Sequence, residues 1–174
     1  MSKKIAACLG GICLLFASCA SLRRPVLSFA GKDSSVLYYT EPFSYKKGNL
    51  KELSIDFTAT CKENEVVQAS VKYTVCLEGF LRKDLLNTKT SLVISDKHFL
   101  LDPKTELYSE PAGKLVRTRF ESFLQKEEAM ELLNLCATDE ELFICIADSE
   151  GKTLATIPAG QFKERLYQIF LMVD

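Results

Sequence analysis

The run from Leu53 to Leu77 constrains this chain more than any other segment. Ile55, Phe57, Ala59 and Cys61 alternate with Ser54, Asp56, Thr58 and Thr60. After the polar Lys62-Glu63-Asn64-Glu65, the residues Val67, Ala69, Val71, Tyr73, Val75 and Leu77 alternate with Gln68, Ser70, Lys72 and Thr74. A period of two over both arms predicts a long antiparallel hairpin over 53–77 with one face buried. Cys61 then lies opposite about Val66 and Cys76 opposite about Lys51, and parity puts the two cysteines on opposite faces.

Weaker signals of the same kind follow. Ser91–Ser95 and His98–Leu101 are short apolar runs split by Asp96-Lys97, and Asp102-Pro103-Lys104-Thr105 carries turn chemistry. Val116, Thr118, Phe120, Ser122 and Leu124 alternate with Arg117, Arg119 and Glu121 in a further strand. Leu142–Asp148 and Lys152–Ile157 flank Ser149-Glu150-Gly151, a turn in which Gly is free to take a positive φ. The total is about six to eight strands. In a helix near 126–136, Ala129, Leu132, Leu133 and Cys136 share a face and Glu127 and Glu128 sit in the first turn. A second helix, near 159–173, carries Phe162, Leu166, Ile169, Phe170 and Val173 on one face. A short third helix fits within Gly79–Asn87. The fold class is therefore α+β, an antiparallel β-rich domain built as a sandwich or as a sheet with packed helices.

The chain has 174 residues, enough for a single domain with a substantial core. Its 22 Lys and Arg against 23 Asp and Glu argue against nucleic acid as a partner. A hydrophobic fraction of 47% with only eight Gly and five Pro excludes a wholly disordered or collagen-like chain. The segment 19–35 mixes Ser, Arg, Pro and Gly without a sustained period and reads as a flexible tether, and 36–174 as one globular domain. Tyr38, Tyr39, Phe43 and Tyr45 cluster at the start of that domain, either as a strand edge packed onto the sheet or as a recognition surface.

The first residues are an address. Met1-Ser2-Lys3-Lys4 is a short basic start, and Ile5–Phe16 is an uncharged, mostly apolar run of 12 residues before the small Ala17 and Ser18. This is the order of a secretory signal over 1–18, and the run is short of the roughly 20 apolar residues of a membrane-spanning helix.

Leu15-Phe16-Ala17-Ser18-Cys19 resembles the lipobox of bacterial lipoprotein precursors. Phe16 stands where Leu is usual and Leu15 lies one step further out, a relaxed form such as spirochaete lipoproteins show. The resemblance implies that Cys19 is lipidated and becomes the first residue of the processed chain. More than one acyl chain on Cys19 would hold the protein stably at the membrane, where one gives marginal binding. Ala20 in the next position favours the outer membrane of the cell envelope over retention. Cleavage after Ala20 to release a soluble secreted protein, and an uncleaved anchor, are the alternative readings of the same segment.

Little else points to chemistry. His98 is the one histidine, and its neighbours Ser95 and Asp96 are too close in sequence to converge on it as a triad, so it reads as a turn residue. No nucleophile elbow, zinc-protease helix, paired-cysteine motif or phosphate loop is present, and neither a cofactor nor a metal site is expected. Past Cys19, Cys61, Cys76, Cys136 and Cys145 have spacings foreign to zinc frameworks and read as buried thiols or as disulfide partners. The expectation is a non-catalytic envelope lipoprotein that binds or assembles with an envelope protein, with a lipid or small-molecule carrier as the alternative.

Overall fold

A computed structural model describes residues 25–31 and 33–173. The signal segment 1–18, Cys19 and the first part of the tether lie outside the described residues. The fold is α+β: among the described residues there are eleven strands in two antiparallel sheets, with three helices.

The hairpin is the spine of the larger sheet. Strands β4 (Leu50–Lys62) and β5 (Glu65–Leu77) pair along nearly their whole length, with Phe57 opposite Val71 and Ala59 opposite Ala69. Leu53, Ile55, Phe57, Ala59, Val71, Tyr73 and Val75 are buried, as the alternation predicts. Glu63 and Asn64 take φ of 51° and 63°, the left-handed pair that a two-residue hairpin turn requires.

One expected facing is corrected here. Thr60 pairs with Gln68 but Cys61 pairs with Val66, so Val67 is an extra residue on its strand. This bulge turns Val66 into the core and leaves Val67 53% exposed. The chain gains one residue without losing the buried face further along.

Strands β1 (Val26–Ala30), β2 (Val36–Thr40), β3 (Phe43–Lys47), β8 (Lys104–Ala112) and β9 (Leu115–Leu124) complete the larger sheet. Its order is β1-β2-β4-β5-β9-β8, and β3 also pairs with β4. Strand β2 takes the end of β4 around Thr58–Cys61 and β3 the end around Leu50–Ile55, so two short strands share one edge of a long one. Glu41-Pro42 lies between them, and the first pairing ends where the Phe57 N–H donates to the Thr40 hydroxyl instead of to a strand carbonyl.

Among the described residues the sheet thus begins at Val26 rather than at 36, and residues 26–30 of the segment read as a tether form an edge strand. Only Val26 of β1 is buried, so backbone pairing with β2 orders a segment that shows no hydrophobic period. Strand β8 was equally invisible, as an edge strand carrying Pro111 and a bulge between Glu106 and Tyr108.

The smaller sheet has the order β11-β10-β6-β7, from β6 (Lys89–Ile94), β7 (Lys97–Leu100), β10 (Leu142–Ala147) and β11 (Thr153–Pro158). Helix α1 is Arg82–Leu86, α2 is Lys126–Cys136 and α3 is Gly160–Val173. Helix α3 packs against α2 and touches both sheets, through β1, β2 and β4 on one side and β10 on the other. Both sheets and the helices contribute to one continuous core, in which Phe43 stacks on Phe162 and Tyr73 lies 5.4 Å from Phe120 between ring centroids.

Candidate functional site

The outer face of the larger sheet carries the side chains that alternate with the core residues of β4, β5 and β9. Reading across the strands, Asp56 lies opposite Lys72, and Lys72 opposite Glu121. One pair along, Ser54 lies opposite Thr74, and Thr74 opposite Arg119. The outer face is therefore a grid of polar side chains whose neighbours are fixed by register.

Asp56 is fully buried on this face. Its Oδ2 accepts a hydrogen bond from Nη2 of Arg119, reaching diagonally across β5, and Nη1 of the same guanidinium donates to the Thr74 hydroxyl at 3.1 Å. The other oxygen, Oδ1, has no partner, and neither does the buried hydroxyl of Thr58 two residues along the strand. Buried polar groups without partners are uncommon, because each retains the cost of leaving water. Burial raises the Asp56 carboxyl above its usual value, opposed by the Arg119 guanidinium. Burial likewise raises the Tyr39 phenol, reinforced by the charge of Asp56.

Beside this pair is an open cleft of about 330 Å³ whose lining includes Leu37, Thr58, Gln68, Lys72, Glu121 and Phe123. Lys72 and Glu121 form an ion pair across it at 3.5 Å. The cleft thus combines hydrogen-bond donors and acceptors of balanced charge with two apolar walls. Such a surface suits recognition of a ligand or partner by hydrogen bonding.

A larger cleft, about 550 Å³, lies between the end of α2 and the start of α3. Lys163 projects into it but donates from Nζ to the carbonyls of Thr138 and Glu140, the latter at 2.6 Å. Burial pushes the Cys136 thiol up to about 12, so it is protonated at neutral pH and a poor nucleophile. Lys163 is thus engaged in tying the segment that follows α2 to the start of α3.

No family model, curated protein or solved structure matches this chain.

His98 is exposed on β7, opposite Val93, just after the turn that the sequence placed there. The tyrosine cluster is divided between two strands: Tyr38 and Tyr39 lie on opposite faces of β2, which is paired on both sides, while Phe43 and Tyr45 of β3 pack toward the core. Cys61, Cys76 and Cys136 are buried free thiols and Cys145 is half-buried. Among the described residues no three or more His, Cys, Asp or Glu converge as a metal site.

Sequence reasoning missed the Asp56–Arg119 pair and also Lys104. The Lys104 ammonium sits 4.6 Å from the centroid of the Phe120 ring and donates to the Leu85 carbonyl at 3.2 Å and to the Thr88 carbonyl, closing the end of α1. The one signal available for the ion pair was opposite charge at outward positions of β4 and β9. Their approach depends on a register that no single strand encodes.

Proposed function

We propose that this protein is a bacterial envelope lipoprotein anchored through acyl chains on Cys19, favouring the outer membrane. Its domain acts without catalysis as a binding or assembly component. The observation that carries the reading is the order of basic start, short apolar run and Phe16-Ala17-Ser18-Cys19. Two acyl chains suffice for stable anchoring.

Two features support binding at the surface over the carrier alternative. The core is filled by large side chains, Phe57, Tyr73, Phe120 and Phe162 among them, and the clefts described above open to solvent. The outer sheet face offers an open cleft lined by Thr60, Gln68, Lys72 and Glu121 to an incoming group.

Metabolic labelling with a fatty-acid analogue tests the anchor: the wild-type chain incorporates label and Cys19→Ala remains an unlabelled precursor. Equal labelling of the two would sink the assignment. For the binding role, a photo-crosslinker at Thr60 on the outer face is expected to give one dominant adduct in intact envelope. Adducts no more frequent there than from the exposed turn residue Lys152 would remove the case for that face.

A further inference from the structure

We infer that the apolar rim at the β1 edge of the larger sheet rests on the bilayer surface, so that the sheet stands on the membrane with β8 pointing away from it. The inference relies on acylation of Cys19, as proposed above. Val26, the first residue of β1, is only seven residues beyond Cys19. Even fully extended at roughly 3.5 Å per residue, that connection spans no more than about 25 Å. Any surface next to Val26 is thus held at high local concentration against lipid.

The side chains gathered there are apolar and exposed. Phe29 and Leu37 face each other directly across β1 and β2 and are 55% and 37% exposed. Leu27, on the same face as Phe29, lines a cleft of about 400 Å³ together with Met172 of α3. Leu171, the neighbour of Met172, is 59% exposed. The rim therefore runs from the open face of the sheet round its edge to the end of α3.

Charge distinguishes the cleft at this corner from the two clefts described above. The cleft at β1 is lined by Pro25, Val26, Leu27, Ser28, Gln168 and Met172, none of them ionisable. The cleft on the open sheet face contains Lys72 and Glu121, and that between α2 and α3 contains Asp139, Glu140, Lys163 and Glu164. An uncharged apolar rim placed at the lipid anchor matches the headgroup and acyl boundary, where apolar side chains leave water without stripping a charge. Five strand spacings separate β1 from β8, about 24 Å at roughly 4.8 Å each, which carries the far edge clear of the lipid.

The chain contains no Trp, so a single introduced Trp reports its own position. Full-length lipidated protein carrying Phe29→Trp, Met172→Trp or Leu107→Trp is to be reconstituted into phosphatidylcholine vesicles with brominated acyl chains, which quench at contact. Leu107 is an exposed residue of β8. The Trp at 29 and at 172 are expected to lose most of their emission relative to unbrominated vesicles and to shift to the blue, with the Trp at 107 unchanged. Quenching at 29 and 172 no greater than at 107, in protein shown to carry the acyl label, would overturn the docking while leaving the anchor intact. Blue-shifted but unquenched emission at 29 on adding envelope proteins would reassign the rim to a protein partner. Absence of the acyl label would overturn the anchor and the docking with it.

Discussion

Asp56 on β4 and Arg119 on β9 form an ion pair across the intervening strand β5, on the outer face of the larger sheet, with the carboxylate fully buried. The pair ties three strands together by side chains where backbone pairing joins only neighbours. Its cost is visible in the same place, since Asp56 Oδ1 is buried without a partner.

Removing one member should therefore be worse than removing both. Arg119→Met leaves a buried carboxylate uncompensated and is expected to cost about 3–5 kcal/mol, whereas Asp56→Leu with Arg119→Met should recover much of the loss. Urea denaturation of the three proteins measures this. A double variant as unstable as the single one would show that the charges are not coupled.

The pair also gives a pH dependence of defined sign. Burial holds the folded carboxyl of Asp56 above its ordinary 3.8, against the pull of Arg119. The folded state then binds the proton more tightly than the unfolded state, so Asp56 contributes most to stability in acid and loses that contribution as pH rises through the folded value. Stability of wild type relative to Asp56→Asn should fall as pH is raised above the ordinary carboxyl value of 3.8 and through the folded value. A flat difference would place the folded carboxyl at its ordinary value.

Lys104 has the opposite behaviour. Burial lowers its ammonium from 10.5 to about 8, with Asp102 opposing. Between those values the folded state has released the proton while the unfolded chain retains it, so stability gains as pH rises through that window. Relative to Lys104→Met, wild type should become more stable between about pH 7 and 10 by thermal melting. A difference that shrinks instead would mean that the Thr88 and Leu85 carbonyls and the Phe120 ring hold the charged form.

At the hairpin, Phe57→Ala should cost about 3–5 kcal/mol, because the ring is fully buried against Val71. The turn residue Asn64, at φ 63°, has a separate requirement. Asn64→Ala should cost about 1 kcal/mol, because Ala keeps the Cβ in the left-handed region but loses the short polar side chain that makes Asn tolerant of it, and Asn64→Gly, which removes the Cβ, close to nothing. Chemical denaturation resolves the order Phe57→Ala, Asn64→Ala, Asn64→Gly, and equal losses at 57 and 64 would mean that the facing assignment is wrong.

The thiols should separate by exposure. Burial raises Cys61 and Cys76 above the ordinary thiol value and Cys136 to about 12, while Cys145 is half-exposed on β10. Iodoacetamide on the native protein at neutral pH should modify Cys145 first, as peptide mass spectrometry would show. Labelling of Cys136 at the same rate would mean that the end of α2 opens readily.

The sequence by itself determined the elements whose burial is periodic. Alternation in β4, β5 and β9 and the helical spacing of Ala129, Leu132, Leu133 and Cys136 placed these segments within a few residues, since each buries one face along its whole length. Strands β1 and β8 could not be found that way: at sheet edges, backbone pairing orders them while most of their side chains remain in water. The bulge at Val67 is equally tertiary, because an extra residue is defined only against the strand opposite. The same holds for the candidate site. Its charges stand at outward positions that alternation marks, but Asp56 meets Arg119 only when the register of β4, β5 and β9 brings together residues 63 apart in sequence. Local periodicity thus decided which side of each strand is wet, and the sheet decided which polar groups meet there and which are left buried without partners.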